Sequence, residues 1–86
     1  MEQLLNMVMD AAEGENQISV WQKNNNCVFG CSFVPYDCNF EDRIYIEGDG
    51  CVLNVTNIDG MEIFYDEIDN EFQVHLKDMD IYISKL

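Results

Sequence analysis

RIYIEGDGCVLNVTNIDGMEIFYDEIDNEFQVHLKDMDIYISKL, residues 43–86, is the stretch that decides the fold. Apolar and polar residues alternate along it, and short turn signals interrupt the alternation. Asp49-Gly50 is a two-residue hairpin signal that pairs Ile46 with Leu53 and Ile44 with Val55. Ile58-Asp59-Gly60 works as a three-residue loop with Gly60 left-handed, pairing Val55 with Ile63 and Leu53 with Tyr65. A two-residue turn there would set Leu53 against Asp66, and that slip of one residue would carry charge onto the apolar face. A turn at Asp69-Asn70 then pairs Tyr65 with Val74 and Ile63 with Leu76, and one at Lys77-Asp78 pairs Val74 with Ile81 and Phe72 with Ile83. Four successive hairpins thus share one apolar face, made of Ile44, Ile46, Leu53, Val55, Ile63, Phe72, Val74, Leu76, Ile81 and Ile83.

The same register predicts the opposite face. One row across it reads Tyr45, Asn54, Phe64, His75, Asp80; a second reads Glu47, Val52, Asp66, Gln73, Tyr82; a third holds Arg43, Thr56, Glu62 and Lys77. Aromatic residues mixed with carboxylates in this way mark an interaction patch if the face is wet, because aromatics concentrate at interface centres. If the preceding strands instead curl the sheet into a small barrel, Phe64 and Tyr45 are partly buried. Sequence leaves both arrangements open.

Toward the N-terminus, residues 2–13 read as an amphipathic helix. Leu5, Val8, Met9 and Ala12 form its stripe, with Leu4 and Met1 at the margin, and Gln3, Asn6, Asp10 and Glu13 lie opposite. Gly14 is placed to end it. So short a helix needs a surface to pack on, and its own sheet is the expected one. Residues 17–23 read as a strand with Ile18 and Val20 on one side and Trp21 on the other, followed by a turn at Asn24-Asn25-Asn26. Residues 27–34 form a second strand, apolar on both faces and therefore expected to be buried or central, with a bulge or bend at Gly30 and its end at Pro35. Tyr36–Asp42 reads as the longest irregular connection. Strands at 43–48, 51–57, 61–66, 71–77 and 79–84 complete a single α+β domain over 1–86, in which a helix packs on an antiparallel meander of five to seven strands. In outline this plan is similar to SH3-like and Sm-like small barrels.

Net charge is −13, and residues 37–86 hold 13 of the 17 acids against three of the four Lys and Arg. With Lys23, Arg43, Lys77 and Lys85 scattered, no basic patch exists to neutralise phosphates, so direct nucleic-acid binding is not expected. No run of about 18 apolar residues is present, and no membrane association is expected. The N-terminal segment, which carries Glu2 and Asp10, has no signal-peptide character, so a cytoplasmic setting is expected. The charge serves solubility, or recruits a basic partner, or both.

The residues show no catalytic signature. Cys27, Cys31, Cys38 and Cys51 lack the paired spacing of zinc sites, and the one histidine, His75, lies far away in sequence. Cys27 and Cys31, four residues apart on one strand, stand about 13 Å apart, too far to bridge each other. The favoured reading is four buried, inert thiols. His75 and Asp80 face each other in the register, which orients an imidazole, but no nucleophile has a place beside them. Asp66, Glu67, Asp69 and Glu71 crowd one turn without the calcium-loop pattern. An enzyme, a metal site and a bound cofactor are therefore not expected.

What remains is surface. Outward residues on a strand recur about every 6.7 Å, comparable with the roughly 6–7 Å between successive phosphates along a strand. The expected partner-binding residues are Tyr45, Glu47, Glu62, Phe64, Asp66, Glu67, Asp69, Glu71, Asp78, Asp80 and Tyr82. In size, charge and helix-plus-sheet layout, though in no motif, the chain resembles the small acidic anti-defence proteins of phages and mobile elements, including anti-CRISPR inhibitors that mimic nucleic acid. That resemblance implies an inhibitor of a basic protein surface, such as that of a nucleic-acid-processing enzyme in the host cytoplasm. The alternative is a structural or regulatory module that self-associates through its sheet as a homodimer.

Overall fold

Alternation with a period of two does build strands over residues 43–86, but they do not stay in one sheet. The structure, a computed structural model, describes residues 2–24 and 27–86. In chain order the elements are α1 (Glu2–Glu13), β1 (Ile18–Lys23), β2 (Val28–Phe33), β3 (Pro35–Asn39), β4 (Ile44–Gly48), β5 (Cys51–Val55), β6 (Glu62–Asp66), β7 (Glu71–His75) and β8 (Asp80–Lys85). The strands form two antiparallel sheets, β2-β1-β8-β7-β6 and β3-β4-β5, and neither closes into a barrel. The fold is α+β, with eight strands among the described residues where five to seven were expected. Among those residues no helix is long and apolar enough to cross a membrane.

Two hairpins have the register read from sequence. Ile44 pairs with Val55 and Ile46 with Leu53, while Phe72 pairs with Ile83 and Val74 with Ile81. The β6–β7 hairpin is offset by two residues, pairing Ile63 with Val74 and Tyr65 with Phe72. Asp66 causes the offset: its Oδ1 accepts from the Ile68 and Asp69 amides at 2.9 and 3.3 Å, opening a longer turn that Asn70 closes at φ 50°. A shift of two leaves every side chain on its expected face.

The expected β5–β6 hairpin does not form. Gly60 is left-handed (φ 72°) and the Met61 amide bonds to the Ile58 carbonyl at 3.1 Å, yet this turn carries the chain from the small sheet to the large one. A sheet that is apolar on one face must bury that face. One helix and two strands would have to cover a five-strand meander; split in two, its halves cover each other. Ile44, Ile46 and Leu53 from the small sheet, and Phe72, Val74, Ile81 and Ile83 from the large one, enter one buried cluster, with Val55, Ile63 and Leu76 packed partly buried against it.

The N-terminal half fills the remaining positions differently from expectation. β1 inserts beside β8, pairing Val20 with Ile83, which leaves β2 at the sheet edge. β2 is therefore neither buried nor central, and Val28 and Phe29 are each 62% exposed. Gly30 makes no bulge: it pairs with Trp21, whose indole covers it so closely that a Cβ there would lie 2.4 Å from the ring. The irregularity falls instead between Pro35 and Asp37. Residues read as a loop from Tyr36 form β3, an edge strand that Pro35 opens rather than a connection that follows it. The corner at Val34 is thus a second crossing between sheets.

Helix α1 packs along β3 and is rotated from the predicted stripe. Leu4, Val8 and Ala11 are buried, whereas Met9 is 47% exposed. Glu15, at φ 53°, takes the left-handed position expected of Gly14, and the Asn16 amide closes the end on the Ala11 carbonyl at 2.9 Å. The predicted positions of Met1, Asn25 and Asn26 lie outside the described residues.

Gly48 sits where the Val34 crossing passes over β4, and a Cβ there would meet the Phe33 ring at 2.2 Å and the Val34 carbonyl at 2.6 Å. Backbone cannot rotate away as a side chain can. Gly48→Ala is expected to destabilise by about 1–3 kcal/mol, lowering Tm by roughly 4–8 °C for each kcal/mol; thermal unfolding followed by circular dichroism checks this.

Candidate interaction face

The outer face of the large sheet follows from strand parity. On β1 the outward residues are Ser19, Trp21 and Lys23, because Ile18 and Val20 turn to the core. The pairings of Trp21 with Tyr82, Tyr82 with Gln73, and Gln73 with Phe64 form one row across four strands. With strands about 4.8 Å apart, that row spans roughly 14 Å. On one side runs Lys23, Asp80, His75, Glu62; on the other Ser19, Ser84, Glu71, Asp66. An aromatic strip is therefore bordered on both sides by carboxylates.

Local contacts hold this strip in place. The Trp21 indole N–H donates to Ser19 Oγ at 2.8 Å, and the ring lies over both Ser19 and Gly30, so Ser19 is only 7% exposed. Phe64 meets the His75 ring edge-on at 5.3 Å, and His75 Nδ1 is 2.8 Å from Asp80 Oδ1, which is the pairing read from sequence. Tyr65, on the inner side of β6, meets the Phe72 ring at a tilt of 51° with centroids 4.9 Å apart and donates from its hydroxyl to Asn70 Oδ1 at 2.9 Å. Trp21 and Phe64 remain 46% and 51% exposed, large apolar surface held open to solvent.

The β6–β7 end of this face is crowded with negative charge. Burial first, then the charges of Asp69 and Asp66, raise the Glu71 carboxyl above its ordinary range, against a hydrogen bond from Gln73 that lowers it. Of the four Lys and Arg, only Arg43 forms an ion pair among the described residues, with its neighbour Asp42 at 3.2 Å. Lys23 and Lys77 line an open depression of about 830 Å³ at the other end, beside the β7–β8 turn. Among the described residues, no Lys or Arg forms an ion pair with the carboxylates around Glu71.

The eleven residues expected to bind a partner divide. Glu62, Phe64, Asp66, Glu71, Asp80 and Tyr82 share the outer face of the large sheet. Glu67 and Asp69 lie exposed in the turn at one end of it, and Asp78 in the turn at the other. Tyr45 and Glu47 do not join them. They lie on the small sheet, which turns its own outer face the opposite way, so the predicted rows Tyr45–Asn54–Phe64 and Glu47–Val52–Asp66 break after β5. There the Tyr45 hydroxyl donates to Glu47 Oε1 at 2.6 Å. That bond, followed by burial, pushes the phenol up to about 12. Sequence reasoning left Trp21 and Lys23 out of the face. The parity of Trp21 was legible, but its place beside Tyr82 depends on pairing the first strand with the last.

The thiols are not the four buried groups expected. Cys27 is exposed, and Cys31, Cys38 and Cys51 are half-buried. Cys31 and Cys51 face each other across the two sheets with Sγ atoms 2.7 Å apart. Among the described residues no three His, Cys, Asp or Glu side chains come together as a metal cradle. Compared with family models, curated proteins and solved structures, the chain matches none.

The raised Glu71 carboxyl has a consequence for stability. Above its ordinary value of 4.5 the folded chain holds this proton more tightly than the unfolded chain does, so Glu71 lowers stability as pH rises through that window. Glu71→Gln keeps the shape and removes the charge. Thermal unfolding from pH 4 to 7 is expected to show the variant gaining on the parent as pH rises; parallel curves would contradict it.

Proposed function

We propose that this chain is a small acidic inhibitor, encoded by a phage or mobile element, that blocks a basic nucleic-acid-binding surface of a host protein in the manner of an anti-CRISPR mimic. The observation that carries the reading is the Trp21–Tyr82–Phe64 strip bordered by Glu62, Asp66, Glu71 and Asp80, on a chain of net charge −13. Each part of that face has a physical role toward Arg and Lys. Net charge steers a basic partner from a distance and accelerates encounter. The bordering carboxylates accept charge-assisted hydrogen bonds, two at a time from guanidinium. The exposed ring of Trp21 and the half-buried ring of Tyr82 take cations on their faces, an attraction worth about 2 kcal/mol or more once water is excluded. A guanidinium set beside Glu71 also relieves the repulsion from Asp66 and Asp69.

One observation favours a second reading, a module that self-associates. The β2 edge presents unpaired backbone together with exposed Val28 and Phe29, the features through which strands pair between chains. Charge argues against it, since two copies repel.

Capture of partners from a nuclease-treated lysate of host cells, followed by titration of the captured protein, tests the choice. Binding is expected to weaken steeply between 50 and 500 mM salt, roughly tenfold or more, and to be displaced by nucleic acid. Trp21→Ala is expected to weaken it about 30-fold or more, as loss of a central aromatic does, and Glu62→Lys with Asp66→Lys to abolish it. Salt-insensitive self-association in sedimentation, lost on Phe29→Ser and unaffected by the acid reversals, would replace the inhibitor reading with the second one.

A further inference from the structure

Cys31 and Cys51 belong to edge strands of different sheets, β2 and β5, twenty residues apart in the chain. Each points inward, Cys31 on the side of Phe33 and Cys51 on the side of Leu53. They meet at the rim of the cleft between the sheets, a space of about 210 Å³ lined also by Phe29, Phe33, Val52 and Leu53. Both thiols are half-buried, so the pair is within reach of a small solute while its inner side rests on the core. The other two thiols differ. Cys27 is exposed at the start of β2, and Cys38 lies on β3 on the groove beside α1.

We propose that Cys31 and Cys51 are a dithiol site for reversible oxidation by a low-molecular-weight disulfide of the glutathione class, closing a covalent bond between the two sheets. In the first step a thiolate of the pair attacks the small disulfide, forming a mixed disulfide and releasing one small thiolate. In the second the other protein thiol, deprotonated, attacks the protein sulfur of that mixed disulfide and releases the second. Two electrons pass to the small disulfide, which leaves as two thiols carrying the two protons. Burial, followed by the hydrogen bond to Cys51 and its charge, pushes the Cys31 thiol up to about 11. The attacking sulfur is whichever of the two is deprotonated, since a protonated thiol is a poor nucleophile. Cys51 sits at the turn end of its hairpin, next to exposed Gly50 and Val52.

The bond would tie the β2 edge to the β5 edge and enclose the Val34 crossing, β3 and β4. Closing that loop removes conformations from the unfolded chain and so stabilises the folded one. This inference is independent of the partner proposed above.

The test uses the full chain, reduced and desalted, then incubated with oxidised glutathione and trapped by alkylation. The alkylated protein is expected to carry two alkyl groups fewer than the reduced control, its underlying mass about 2 Da lower with no glutathione retained on the pair, and peptide mapping is expected to find Cys31 joined to Cys51. Tm is expected to rise by roughly 10–20 °C, and dithiothreitol to reverse both changes. Cys51→Ser is expected to lose the link and the rise, while Cys27→Ser and Cys38→Ser retain them. Alkylation of both Cys31 and Cys51 after this treatment would overturn the proposal. So would a link through Cys27 or Cys38, or a linked protein whose Tm is unchanged or lower.

Discussion

Everything in this fold depends on two apolar sheet faces finding each other. Ile44, Ile46 and Leu53 on the small sheet and Phe72, Val74, Ile81 and Ile83 on the large one are spaced for strands, and each set is useless until something covers it. Burial of such side chains is worth about 1.5–3 kcal/mol apiece, and summed over the seven it exceeds what a further hairpin would add at about 0.5–1.5 kcal/mol for each hydrogen bond. Mutual coverage therefore wins over continuing the meander. The cost is two chain crossings, at Val34 and between Val55 and Glu62, each with its own local device: the close packing of Phe33 and Val34 on Gly48, and the left-handed Gly60.

That choice also sets what is left outside. When the two inner faces close on one core, their outer faces must look away from each other, and residues that alternate neatly along the chain end up on different surfaces. Tyr45 and Glu47 go one way, Phe64 and Tyr82 the other. The larger outer face gains what the smaller one loses. Insertion of β1 beside β8 brings Trp21 into line with Tyr82, and the indole is fixed by Ser19 and Gly30 rather than left to swing. An aromatic strip with carboxylates on both borders, open to solvent at Trp21 and Phe64, follows from the topology as much as from the composition.

The rim of the sandwich is the other product of closure. Bringing β2 and β5 to the same side puts Cys31 against Cys51, although the residues between them include a sheet crossing and two complete strands, β3 and β4. Spacing along one strand spoke only to pairs such as Cys27 and Cys31. It had no means of bringing Cys51 near either, because that contact exists only between sheets.

Sequence by itself determined which residues face inward and which outward over residues 43–86, together with the α+β class and the registers of the β4–β5 and β7–β8 hairpins. These are local properties: parity has a period of two, and a turn such as Asp49-Gly50 sets its own register. Parity survived even where register slipped, as at Asp66, because that slip was by two. Tertiary structure alone decided the break after β5, the edge position of β2, the strand at Pro35–Asn39, the rotation of α1 onto Leu4, Val8 and Ala11, and the meeting of Trp21 with Tyr82 and of Cys31 with Cys51. Each is a contact between segments distant in the chain, chosen by which arrangement buries the most apolar surface, and neither turn chemistry nor alternation carries that information.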